Sequence, residues 1–172
     1  MHYDRRLASR WLFTAFNFSS YSHWGHNADS IITYVETIED PAERIEAVYF
    51  NTSKIATLDP NKLLDLYKIL QGANPDEKDQ NALAHSYAIR GQYHAMAGQS
   101  DSIMFYRKLA LHTFRKLPGS AQKASAYNAM SSNFYYQGEL DKYLAYNDSA
   151  YNVLKQLEEP NSKMELMIIY LQ

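Results

Sequence analysis

Two histidines three residues apart, His23 and His26 in the stretch HWGH, have a spacing that a metal ion can use on a helix, and His85 and His94 offer two further imidazoles. Imidazole can ligate zinc and can move protons near neutral pH. No third ligand type stands near His23 and His26, however, and Gly25 favours a loop there. His85 and His94 sit among aromatic residues, a setting that suits packing better than catalysis. The chain has no cysteine, which removes disulfides, thiolate zinc sites and a thiol nucleophile. No serine or carboxylate stands in a nucleophile setting, and AGQSD at 97–101 differs from the glycine-rich loops that cradle phosphate. The residues therefore predict no catalytic group, no metal and no cofactor, and the expected protein is not an enzyme. A metal-binding or enzymatic helical domain built on these four histidines is the class-level alternative.

Tyrosine is the other residue type with something to offer. The chain holds 15 of them, densest in NFYYQGELDKYLAYNDSAYNVL at 133–154. Each brings a large apolar area and a hydroxyl at low entropic cost, properties suited to binding. At 172 residues, 46% hydrophobic and 14% aromatic, the chain can bury a sizeable core and need not be disordered. Seventeen Lys and Arg face nineteen Asp and Glu, a net charge of −2 with no long basic run, so no nucleic-acid surface is expected.

The amino-terminal residues 1–27 allow two readings. Arg5 and Arg6 followed by an apolar run from Trp11 to Phe18 outline an export signal. Arg10 and Asn17 interrupt that run, and no small-x-small cleavage site follows. An amphipathic helix with Leu7, Trp11, Ala15 and Phe18 near one face is favoured. The run falls short of the roughly 20 apolar residues a bilayer requires, so no membrane span is expected. The cytosol is the favoured compartment, with the periplasm following if residues 1–26 act as a signal.

Internal repetition positions the tyrosines. Gly98 and Gly138 are 40 residues apart, and laying the segment from Tyr87 over that from Tyr127 aligns Ile103 with Tyr143 and Ala110 with Ala150 without a gap. A further step back places Ala47, Leu63 and Leu70 in register, with LDPNK at the joint, as a weaker copy. Tyr127, Met130 and Phe134 form a helical stripe that ends at Gly138, a residue tolerant of positive φ. Leu140, Tyr143, Ala150 and Leu154 form the next stripe. Each unit thus reads as helix, tight turn, helix, with proline breaks at LPGS and EEPNS and a cap at Ser120 or Asn161. Small residues at Gly91 and Ser131, and at Ala110 and Ala150, let paired helices approach closely. No sheet is predicted. The boundaries are an array over 28–172, with units at about 41–80, 81–120 and 121–160 and a partial fourth at 161–172.

These residues resemble the tetratricopeptide-repeat family: Tyr127, Met130, Ser131, Phe134, Gly138, Leu140 and Ala150 in the third unit, and Tyr87, Gly91, Gly98, Ile103 and Ala110 in the second. Tyr143, His94, Arg107 and Asn147 depart from the pattern, and the period exceeds the family's roughly 34 residues. The longer period looks like the extended repeats in sensor regions of bacterial, Bacteroidetes-type signalling regulators. The resemblance implies an all-α fold, a right-handed α-α superhelix of antiparallel helix pairs. It also implies a scaffold that binds a protein or peptide, as the sensing part of a larger regulator.

The resemblance further implies a ligand groove lined by the first helix of each unit. Those positions are Val48, Thr52 and Ile55; His85, Ala88, Gln92 and Met96; and Ser125, Asn128, Ser132, Tyr135 and Tyr136. A terminal-carboxylate clamp is not matched, because these positions lack lysine. The carboxyl end, PNSKMELMIIYLQ, is apolar on more than one side. It reads as a buried last helix, as the start of further repeats, or as a self-association module that forms a homodimer through 163–172.

Overall fold

The computed structural model describes residues 27–74 and 76–157. The described residues form seven α-helices and no strand. In chain order they are α1 (Ala28–Thr37), α2 (Pro41–Leu58), α3 (Leu63–Ala73), α4 (Gln80–Met96), α5 (Ser100–Arg115), α6 (Ala121–Tyr136) and α7 (Leu140–Lys155).

Short polar side chains start these helices by satisfying the amide groups that lack an intrahelical partner. Asn27, Asp40, Asp79 and Ser120 accept from backbone N–H groups at the starts of α1, α2, α4 and α6. Pro41 follows Asp40 at the first helical position, where its missing N–H costs nothing. Between α2 and α3 the joint is a 3-10 turn, Pro60–Lys62, begun by the Asp59 carboxylate accepting from the Asn61 amide at 3.0 Å. Asn74 closes the loop before α4: its Nδ2 donates to the Asp79 carbonyl at 2.8 Å, and its Oδ1 accepts from the Asp79 amide at 3.0 Å.

The two glycine joints share one geometry. Gly98 has φ +69° and Gly138 φ +75°. Gly138 N–H donates to the Tyr135 carbonyl, and Glu139 N–H reaches back to that of Phe134. At the earlier joint the same pair of bonds runs from Gly98 to Ala95 and from Gln99 to His94. This is the double bond pattern of a helix closed by a left-handed residue. The chain then reverses. Arg107 and Tyr106 of α5 lie against Gly91 of α4, and Ser131 of α6 bonds to Tyr143 of α7, so each pair runs antiparallel about its glycine.

Burial follows neighbouring helices rather than a single centre. Ile31, Val35, Val48, Ile55, Leu63, Leu66, Leu70 and Ile89 join α1 to α4 in one core. Ala84, Ala110, Leu111, Phe114, Met130 and Phe134 form a second from α4 onward, and Ala124, Ala150 and Leu154 form a small third between α6 and α7. Pairs α4/α5 and α6/α7 pack extensively, whereas α2 and α3 touch less and α3 leans on α4 instead. Three residues lie otherwise than expected. Leu140, expected on the core stripe, is exposed at the first position of α7. Val48 and Ile55, expected in the groove, are fully buried in the core that α1 to α4 share.

Candidate functional site

A cavity of about 140 Å³ lies where α2, α4, α5 and α6 meet. Tyr49, Thr52 and Ser53 come from α2, and His85, Ala88, Ile89 and Gln92 from α4. Arg107, Ala110 and Phe114 reach it from α5, and Gln122, Ser125, Ala126 and Ala129 from α6. The helical spacing within α4 explains the set: positions 85, 88, 89 and 92 share one face.

The floor is aromatic and aliphatic. The His85 ring meets those of Tyr49 and Phe114 edge-on, at centroid distances of 5.8 and 5.2 Å. Only 4% of His85 is exposed, and its Nε2 has no hydrogen-bond partner. Burial pushes its pKa down to about 4, and the charge of Asp79 opposes that only in part, so the ring is neutral at pH 7. An unpaired polar atom buried this deeply is uncommon in folded proteins.

Among the described residues, Arg107 supplies the only formal charge in the lining. Its Nη1 donates to the Ala129 carbonyl at 2.8 Å and to Asn133 Oδ1 at 2.6 Å, tying α5 to α6. Burial holds the guanidinium below its usual pKa. Among the described residues no carboxylate pairs with it. Gly91 makes room for this side chain: a Cβ there would sit 3.1 Å from Arg107 Cγ.

The expected groove residues divide. His85 and Gln92 meet in the cavity, together with Thr52, Ala88 and Ser125. Asn128 and Ser132 are half-buried on α6 outside the lining, and the Ser132 hydroxyl is turned back to the Asn128 carbonyl at 3.1 Å. Met96, Tyr135 and Tyr136 are exposed beyond it. The Tyr135 ring is edge-on to Tyr136 and tilted against Tyr143. Sequence reasoning missed Tyr49, Gln122 and above all Arg107. The signal for Arg107 was its place at a normally apolar slot, where a long cation must cross to a neighbouring helix.

His94 has a packing role. It stacks on Tyr106 at 5.1 Å, and its Nδ1 lies 2.5 Å from Gln99 Oε1. His23, His26 and the 163–172 segment lie outside the described residues. Among the described residues no cluster of three His, Asp or Glu is placed to hold a metal ion, and no helix is long and apolar enough to cross a membrane. No family model, curated protein or solved structure matches the chain.

Proposed function

We propose that the chain is a non-catalytic scaffold of tetratricopeptide-like helix pairs, stacked as a solenoid, that holds a protein or peptide segment in the groove across α2, α4 and α6. The observation that carries this reading is the shared cavity: α2, α4 and α6 contribute wall residues to one recess, together with α5. Polar groups at its rim, Gln92, Gln122, Ser53 and Ser125, can bond a peptide backbone, while Ala88, Ala126 and Phe114 offer apolar contact. The exposed Tyr135 and Tyr136 extend the apolar surface along α6. Nothing in the recess pairs a nucleophile with a base, which favours binding over turnover.

Selection of peptides from a displayed random library against the full chain tests the proposal. Bound peptides should lose about tenfold or more in affinity on Ser125→Trp, a bulky block at an exposed rim position. Selected peptides that bind the blocked protein as tightly as the original would place recognition elsewhere.

A further inference from the structure

Resting on that groove reading, we infer that the recess is a subsite for an acidic side chain: the carboxylate of an aspartate or glutamate in an extended peptide, received by Arg107 and by the protonated Nε2 of a neutral His85. Two independent observations converge. Arg107 is a half-buried cation in the recess lining that no described carboxylate neutralises, held in place by its bonds to Ala129 and Asn133. Removing a cation from water without a counter-charge is costly, and an anion supplied by a ligand would recover that cost. His85 lines the same recess, and its buried Nε2 lacks a partner. A guanidinium and an imidazole N–H are both donors, and a carboxylate is the acceptor with enough lone pairs for both.

Size and charge narrow the occupant. About 140 Å³ is well below the roughly 300–1,000 Å³ of small-molecule sites, so the recess suits one side chain. Among the described residues no acidic side chain lines the recess, and the nearest acidic influence on His85 is the charge of Asp79.

The test titrates the isotope-labelled full chain with acetyl-Ala-Ala-Glu-Ala-Ala-amide, with its Gln counterpart, and with the Gln peptide bearing a free carboxyl terminus, following side-chain resonances of Arg107 and His85 by NMR. The Glu peptide should shift both saturably and bind about tenfold tighter than the capped Gln peptide. Ser125→Glu, which puts a negative charge at the rim, should weaken the Glu peptide selectively. Arg107→Gln should erase the difference. Because that substitution also breaks the tie to Ala129, the comparison in the unaltered chain decides. Equal binding of Glu and Gln peptides would overturn the acidic subsite while leaving the groove standing. A response to the free-carboxyl peptide alone would identify a chain-end site and overturn the side-chain assignment. No shift with any peptide would overturn the subsite, and the displayed-library selection would then judge the groove separately.

Discussion

The Ser131 hydroxyl donates to the main-chain carbonyl of Tyr143 at 2.9 Å, and Ser131 has no exposed surface at all. This bond fixes how closely α6 lies on α7. It replaces at one position the methyl-to-methyl contact that a small apolar residue would give. Ser131→Ala keeps the close approach and loses the bond, for an expected cost of about 1 kcal/mol. Ser131→Leu forces the helices apart and should cost more, about 2–3 kcal/mol. Urea unfolding of both variants checks the order. A stabilising Ala variant would show that the hydroxyl is a burden at this site.

Gly138 stands at φ +75° with nothing within 4 Å of where a Cβ would be. Any penalty for substitution is therefore conformational rather than steric. Gly138→Ala should cost about 1 kcal/mol and Gly138→Val more, since a β-branched residue tolerates the left-handed region worst, whereas Gly138→Asn should cost less. The same order is expected at Gly98, whose φ is +69°. Equal stability for Val and Asn would contradict a left-handed joint.

The regular parts of this fold were the parts that local chemistry decides. Gly98 and Gly138 were legible as joints because few other residues accept their backbone angles, and Ser120 was legible as a cap because its hydroxyl answers a free amide. Tertiary covering was not legible. The resemblance places Val48 and Ile55 in the groove, but both are buried in the core shared by α1 to α4. The cation in the recess was hidden for a related reason. A long side chain acts several ångströms from its own backbone, so Arg107 serves a surface that its helix position does not predict.

Arg90 of α4 bridges α3 and α5. Its guanidinium lies 4.9 Å from the ring centroids of both Tyr67 on α3 and Tyr106 on α5, and its Nη2 donates to the Tyr106 hydroxyl at 3.0 Å. Arg90→Met keeps most of the stem and removes the charge and the bond. The expected loss is about 1–2 kcal/mol. A double-mutant cycle with Tyr67→Leu should show positive coupling; additive losses would mean that the two residues pack without interacting.

Tyr135 and Tyr136 are exposed by 54% and 85%, so their joint replacement by alanine should leave the helical spectrum intact and cost less than about 1 kcal/mol. Collapse of the fold on that change would show instead that they seal a packing seam.

His85 makes stability depend on acid. In the folded chain burial among Tyr49 and Phe114 lowers its pKa to about 4, with the Asp79 charge opposing and the Arg107 cation lining the same recess. An unfolded histidine titrates near 6.5. Between these values the unfolded chain binds the proton and the folded chain does not, so acid favours unfolding. The contribution is fully present above about pH 6.5, declines as pH falls toward 4, and then levels off. The span corresponds to a loss on the order of 3 kcal/mol. Acid also protonates carboxylates elsewhere, so the informative quantity is a difference. His85→Gln cannot titrate, and the gap between its urea midpoint and that of the unaltered chain should shift in its favour as pH is lowered from about 7 to about 4. A gap that stays constant with pH would mean that His85 is hydrated in solution and that the recess around it is wet.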